Sequence, residues 1–403
     1  PIVVIGKDTR LSGYMLESAL VAGFTSIGLD CRLLGPIPTP AVAHLTRSLR
    51  AELGVMISAS HNPHHDNGIK LFGPDGFKLD DKIEAEISAL AAGSIALADA
   101  PDLGRARRML DSVGRYVEFA KSTLPGRMRL DGLKLVVDCA NGAAYRTAPD
   151  TLYELGAEIV PLAVSPDGFN INENCGAVHP QVMAAAVVAH GADAGICLDG
   201  DADRLIMADE TGEIIDGDQT LGCLALAMQE RGTLANNAVV GTVMTNRGLE
   251  TRLVKAGIDL HRVAVGDRYI LEKMRQDGLN LGGEPSGHML MTDFARSGDG
   301  LLTALQMLTL LKTSGKKAST LFKSFSPNPQ RLENLRGIDP AILQDKKLQS
   351  DLANIGANLN GKGRILVRPS GTEALVRVMV EAETDALLTE AMDALILRIK
   401  AES

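Results

Sequence analysis

Apolar and polar positions along this chain fall into two alternating periods. Residues 2–5 form a short β-branched run, a polar Gly6-Lys7-Asp8-Thr9-Arg10 loop follows, and residues 12–24 carry a helical pattern. Strand, small polar loop and helix in that order mark an α/β unit. The rhythm returns twice. Residues 133–137 lead through Asp138-Cys139-Ala140-Asn141-Gly142 into a helix near 148–155, and residues 238–243 lead through Met244-Thr245-Asn246-Arg247-Gly248 into a helix near 249–256. Openings roughly a hundred or more residues apart suggest repeated α/β domains, not a solenoid with its period of about 20–50 residues.

In the first unit, residues 53–57 and 69–72 read as strands, 80–90 as an exposed amphipathic helix, and 105–123 as a helix crossing to the second unit. The segments 204–208 and 213–216 read as a hairpin, and 299–312 as a helix that closes the third unit. Residues 316–329 are polar with Ser and Pro and read as a linker. Strands near 363–367 and 375–381 and a helix at 385–399 make a smaller α+β module. The expected class is α/β: three related domains with mixed sheets (1–124, 125–217, 218–326) plus a C-terminal α+β domain (327–403).

Composition narrows the partners. The chain has 403 residues, a formal net charge of -9, no Trp and 3% aromatics. It lacks both a basic footprint and stacking platforms, which excludes nucleic acid as the main partner. An acidic chain that binds anions must concentrate its cations in particular loops. The five Cys are scattered without C-x-x-C spacing, which fits reduced thiols and a cytoplasmic location better than disulfides or a zinc site. No stretch is long and apolar enough to span a bilayer.

Leu198-Asp199-Gly200-Asp201-Ala202-Asp203-Arg204 is the densest candidate site. Every second side chain of an extended segment points the same way, so the loop can converge Asp199, Asp201 and Asp203 on one point. Carboxylates so close repel unless a cation sits among them, and hard oxygen ligands suit Mg²⁺ or Ca²⁺. A solvated acidic turn is the plain alternative. An EF-hand fits worse, because it wants Gly where Arg204 stands and helices where the hairpin lies. Arg368-Pro369-Ser370-Gly371-Thr372 has the parts of a phosphate cradle: a guanidinium fork, hydroxyls and backbone N–H groups. It also reads as an ordinary Pro-Gly turn. Ser60 follows a strand end and can present its hydroxyl outward or simply cap a turn, with His61 pointing away. His288 closes a Gly-rich loop with Glu284 and Ser286, suited to sugar hydroxyls. Lys70 and Arg10, each taken alone, read as surface charges.

Taken together, the loops Ser-Ala-Ser-His-Asn-Pro, Asp-Gly-Asp-Ala-Asp-Arg, Gly-Glu-Pro-Ser-Gly-His and Arg-Pro-Ser-Gly-Thr-Glu, in that order, resemble the α-D-phosphohexomutase superfamily, most of all its glucosamine-phosphate branch. The resemblance covers nearly the whole chain. It implies four domains around one deep cleft, the last of them mobile. It also implies an isomerase converting glucosamine 6-phosphate to glucosamine 1-phosphate through a 1,6-bisphosphate, feeding amino-sugar and cell-wall precursor synthesis. On this resemblance Ser60 is the phosphoserine and, with Asp199, Asp201 and Asp203, a ligand of one Mg²⁺. Glu284 and Ser286 bind sugar hydroxyls, and Arg204 also meets substrate. Arg368, Ser370, Gly371, Thr372 and Arg377 hold the phosphate that does not react. Lys70, Arg10 and His288 supply acid–base and charge-stabilising groups, with Lys70 a base of depressed pKa. The expected partners are a hexosamine phosphate, a glucose or glucosamine 1,6-bisphosphate as activating intermediate and, as one option, a second copy in a homodimer. No membrane partner is expected.

Three departures accompany the resemblance. The opening segment with a Gly-Thr-Asp-Gly-x-Arg-Gly loop is not in this sequence, Pro285 stands where Gln is expected, and Ala374 where Pro is usual. Three other readings remain open. One is a phosphomannomutase or phosphoglucomutase. Another is a phosphatase with Asp199 as nucleophile, although its loop is central and Arg204 intervenes. The last is a non-catalytic sugar-phosphate sensor.

Overall fold

The computed structural model describes residues 1–369 and 375–402. The chain divides into two compact units, one of residues 1–245 and 253–324, the other of residues 246–252 and 325–403.

The first sheet and its helices comprise β1 (Ile2–Lys7), α1 (Ser12–Ser26), β2 (Asp30–Pro36), α2 (Thr39–Ser48), β3 (Leu53–Ile57), β4 (Ile69–Phe72), α3 (Asp81–Ala91), β5 (Ala106–Arg108) and α4 (Ser112–Ser122). The second comprises β6 (Lys134–Asp138), α5 (Thr147–Glu154), β7 (Glu158–Leu162), α6 (Pro180–His190), β8 (Ala194–Leu198), β9 (Leu205–Asp209) and β10 (Ile214–Ile215). The third comprises α7 (Gly217–Glu230), β11 (Ala238–Thr242), α8 (Arg247–Lys255), β12 (Asp259–Val263), α9 (Asp267–Asp277), β13 (Leu281–Gly283), β14 (Met289–Met291), α10 (Gly300–Ser314) and α11 (Ala318–Leu321). The rest comprises β15 (Gln330–Arg336), α12 (Lys346–Asn358), β16 (Gly363–Pro369), β17 (Leu375–Ala382) and α13 (Asp385–Glu402).

One topology recurs three times. The strand orders β4-β3-β1-β2, β9-β8-β6-β7 and β14-β13-β11-β12 each hold three parallel strands with an antiparallel strand at the same edge. The β8 and β11 strands are buried along their whole length, and β6 from Leu135 onward, as parallel strands covered on both faces should be. β5 extends the first sheet and β10 the second. The fourth sheet, β15-β17-β16, is wholly antiparallel. The mixed-sheet α/β class with a smaller C-terminal α+β module is therefore the observed one.

Most predicted elements lie within a residue or two of those observed. The amphipathic segment at 80–90 is α3, with no buried residue. Two expectations change. The helix expected over 105–123 is a short strand followed by a helix. The Asp30 carboxylate accepts the Arg105 N–H at 2.8 Å, and Ala106–Arg108 then pair with β2, so sheet-edge pairing overrides helical propensity there. The linker expected over 316–329 is half embedded. Phe322 is fully buried, Ser324 bonds to Gln219, and Ser319 donates through both N and Oγ to Glu210. The division between units falls only after Ser324.

α10 is buried from Gly300 to Leu311. A helix apolar all round belongs inside a core. Asp299 caps its start, accepting from Leu302 N at 2.9 Å, and Gly315 ends it in the left-handed region. All five cysteines are buried and unpaired. No helix among the described residues is long and apolar enough to cross a membrane.

Candidate active site

Each repeated sheet contributes its loop between the third parallel strand and the antiparallel edge strand. The β3–β4 loop carries Ser60, the β8–β9 loop carries the three aspartates, and the β13–β14 loop carries Glu284, Ser286 and His288. These loops follow the carboxyl ends of parallel strands, where open α/β sheets bind ligands. Backbone bonds tie the β13–β14 loop to the second sheet and to the start of α7. Arg204 and His288 form an isolated antiparallel bridge, Leu205 N donates to the Gly287 carbonyl at 3.0 Å, and Gly217 N to the Pro285 carbonyl at 3.1 Å.

Ser60 has φ +51°, the left-handed region that a non-glycine residue enters only when its surroundings enforce it. The enforcement is visible. Ser58 Oγ accepts Ser60 N at 2.9 Å, and Asn172 Nδ2 donates to the carbonyls of Ser60 and Asn62, each at 3.0 Å. Arg10 donates to the Asn62 carbonyl at 2.6 Å and pairs with buried Asp8. The Ser60 hydroxyl consequently donates to Asp199 Oδ2 at 2.6 Å. Gly200 allows this approach: a Cβ there would meet the Ser60 carbonyl at 2.5 Å and Asn172 Nδ2 at 2.8 Å. Ligand oxygens of Asp199, Asp201 and Asp203 lie within 4.8 Å of one another, all three residues buried. Oδ1 of Asp201 and of Asp203 are buried with no hydrogen-bond partner. Orphaned hard oxygens at the centre of an acidic trio fit a divalent cation.

The cations around the trio correct the sequence reading. Lys70 is no surface charge: its Nζ lies 2.6 Å from Asp201 Oδ2 and 3.1 Å from Asp203 Oδ2. Burial alone would lower its pKa, but Asp201 and Asp203 outweigh burial and hold it above the ordinary value. The depressed pKa expected of Lys70 is therefore not observed. Arg10 is 2% exposed, fixing the serine loop. His288, also buried, lies with Nδ1 3.5 Å from Asp203 and Nε2 3.7 Å from Asp267. Burial works against its charge, yet Asp203 and Asp267 raise its pKa. Burial first, then Asp203 and Asp201, push the Asp199 carboxyl up. His61 does not point away; its Nδ1 is 3.5 Å from Ser60 Oγ, and burial followed by the Arg204 charge lowers its pKa.

Arg204 N donates to Asp199 Oδ1 at 3.2 Å. Glu284 accepts from Gly266 N at 2.9 Å and from Ser286 Oγ at 3.1 Å, which aims both side chains. In the second unit, Arg368 and Arg377 are cross-strand partners on β16 and β17. Burial and the Arg377 charge lower the pKa of Arg368. Ser370, Gly371, Thr372 and Ala374 lie outside the described residues. Sequence reasoning missed Asp8, Thr39 and Asn172. Thr39 donates its N–H to the Asp201 carbonyl at 3.0 Å and its hydroxyl to Asp201 Oδ2.

The repeated α/β scaffold closes a serine hydroxyl on an acidic trio, an arrangement suited to metal-assisted phosphoryl transfer. Models of the phosphoglucomutase/phosphomannomutase α/β/α domains I, II and III match residues 1–95, 114–212 and 216–328, and the model of the C-terminal domain matches 330–398. The chain belongs to this phosphoglucomutase/phosphomannomutase family. It is 57% identical over 401 residues to the phosphoglucosamine mutase of Paracoccus denitrificans, covering 99% of this chain and 89% of that one. To the phosphoglucosamine mutase of Roseobacter denitrificans it is 58% identical over 395 residues, covering 98% and 88%. Among solved structures, a phosphoglucomutase/phosphomannomutase family protein from Burkholderia thailandensis superposes with a TM-score of 0.84 at 26% identity, over 100% of this chain and 89% of that one. The Aspergillus fumigatus N-acetylphosphoglucosamine mutase in complex with GlcNAc-6P and magnesium shares the fold, with a TM-score of 0.68 at 20% identity over 90% and 92%.

Proposed function

We propose that the chain interconverts glucosamine 6-phosphate and glucosamine 1-phosphate through the 1,6-bisphosphate, with phosphorylated Ser60 as donor and acceptor of the phosphoryl group. The observation that carries this reading is the Ser60 hydroxyl 2.6 Å from Asp199, inside a buried aspartate trio. The names of the 57–58% identical relatives support glucosamine as the sugar. Ser60 held in hydrogen-bond reach of the trio does not favour Asp199 as a phosphatase nucleophile.

Phosphoryl transfer to and from Ser60 depends chiefly on positioning and charge neutralisation around the transferring group. The substrate hydroxyl attacks the phosphoserine phosphorus. The new sugar O–P bond forms, the Ser60 O–P bond breaks, and the proton lost by the sugar hydroxyl ends on the departing Ser60 oxygen, restoring its hydroxyl. The bisphosphate turns around, and Ser60 attacks its other phosphorus to regenerate phosphoserine and release product. His61 is kept neutral by burial and Arg204, so it is in the right form to take a proton beside Ser60. Lys70, held cationic by Asp201 and Asp203, and His288, whose pKa Asp203 and Asp267 raise against burial, stabilise charge on the phosphoryl oxygens. Asp199, Asp201 and Asp203 would hold Mg²⁺, which when bound neutralises charge at the phosphoserine oxygen. Arg10 positions the serine loop, while Glu284 and Ser286 bind sugar hydroxyls. Two guanidiniums facing each other across β16 and β17 favour an anion between them, so Arg368 and Arg377 form the phosphate seat of the second unit.

A coupled mutase assay with glucosamine, glucose and mannose phosphates tests the reading. Glucosamine phosphate should be preferred, and Ser60→Ala should abolish turnover. A preference for mannose 1-phosphate, or turnover without Ser60, refutes it.

A further inference from the structure

Behind the Lys78–Asp267 ion pair, between the turn after β4 and helix α9, lies a cavity of about 490 Å³. None of Ser60, Lys70, His288 or the aspartate trio lines it. Its size falls among small-molecule sites, about 300–1,000 Å³. Two arginines converge there. The guanidinium carbons of Arg275 and Arg296 lie 3.6 and 5.2 Å from the centroid of the same Phe77 ring. A guanidinium stacked on a ring uses its face and leaves its edge N–H donors free. Among the described residues neither arginine has a carboxylate within ion-pair distance.

The carboxylates that line the cavity are mostly engaged elsewhere. Asp80 caps α3, accepting from Ile83 N at 2.9 Å, Asp81 pairs with Arg268, and Asp267 pairs with Lys78. Only Glu272 then stands against Lys82, Arg275 and Arg296. Ser297 gives an independent sign. It is 6% exposed, its Oγ is buried without a partner, and it lines the same cavity. A buried hydroxyl without a partner is uncommon unless a ligand or water satisfies it. Unpaired guanidiniums and an unmet hydroxyl together call for an anion. Leu79, Leu271 and Leu290 wall the remaining volume with apolar surface beside Tyr269, which suits a ring better than water.

We propose that this cavity is a second ligand site, taking a small organic phosphate whose planar ring lies against the leucine wall while its phosphate meets Arg275, Arg296 and Ser297. The cavity adjoins the substrate site of the mutase reading through Asp267, 3.7 Å from His288 Nε2, but shares none of its reacting groups, and the proposal holds whether or not that reading does. Phenyl phosphate is the probe, followed by isothermal titration in an Arg368→Ala background that removes the phosphate seat of the second unit. One phenyl phosphate should bind per chain, more tightly than inorganic phosphate. Affinity should fall at least tenfold in Arg275→Gln/Arg296→Gln and severalfold in Ser297→Ala, and the same substitutions made with Arg368 intact should leave mutase turnover in the absence of probe within twofold. Undiminished binding in these variants, or no binding in the parent, overturns the site. Equal affinity for inorganic phosphate overturns the ring. Should circular dichroism show the double variant unfolded, Ser297→Ala decides alone, and unchanged affinity there refutes the proposal.

Discussion

Ser60 and Gly200 show how one residue's backbone sets another's chemistry. The left-handed φ of Ser60 persists because its carbonyl is held by Asn172 and lies against Gly200, where a side chain has no room. Overpacking of this kind costs about 1–3 kcal/mol. Gly200→Ala should therefore displace the serine from Asp199, lowering turnover more than tenfold while the melting temperature falls only a few degrees. Unchanged turnover would show that the loops tolerate separation. The aspartates stood out in the sequence because they sit in one short, chemically dense loop, while Ser60 stood out only through the resemblance of the loops taken together. Asn172 did not, since its partners at 60 and 62 are more than a hundred residues away and no local pattern marks it. Lys70 was misread for the same reason: the charges that raise its pKa are supplied by Asp201 and Asp203, on another sheet.

At the scale of elements, the start of α10 braces the acidic loop from behind. Gly300 N donates to the carbonyl of Ala202, itself at φ +58°, and Gly298 leaves no room for a Cβ beside the His288 ring. Asp299 holds this corner, its carboxylate accepting from Tyr116 of α4 at 2.8 and 2.9 Å as well as capping α10. Burial raises the Asp299 pKa to about 6, against the lowering effect of those donors. Between about pH 4, the ordinary aspartate range, and pH 6 the folded state binds the extra proton, so stability falls as pH rises through that window. Tyr116→Phe removes one donor to the anion and should cost about 1–3 kcal/mol at pH 7. Thermal melts should show the deficit shrinking as pH drops below 5, where Asp299 is protonated. A deficit independent of pH would assign the loss to packing instead. Periodicity made legible the strand and helix that open each repeat, while β2, α2, β7, α6, α9 and α12 were not read from it, and edge pairing made a strand of Ala106–Arg108.

The whole molecule is built by using one topological position three times. Each repeat of the sheet order places its functional loop before the antiparallel edge strand, and the three loops carry different chemistry: a hydroxyl, an aspartate trio, and a carboxylate with a histidine. The sequence disclosed the repeat through the openings of β1, β6 and β11, but not the equivalence of the functional loops, which share a place in the fold and no residue pattern. Lys70, at the edge of the first sheet, reaches into the acidic loop of the second and pairs with the Oδ2 atoms of two carboxylates whose Oδ1 atoms are left for a cation. A protein cation and a bound cation compete for those carboxylates. Lys70→Gln should therefore tighten divalent-metal binding, roughly tenfold or more by simple Coulomb arithmetic, and raise the melting temperature gained on adding Mg²⁺. The same change removes a positive charge from the phosphoryl path, so turnover at saturating metal should fall roughly a hundredfold. The two effects have opposite signs, which separates them from general damage. Titrating Mg²⁺ against melting temperature and turnover in both proteins reads them side by side. If metal affinity and turnover fall together, Lys70 is a structural prop for the acidic loop and not the rival of its ion.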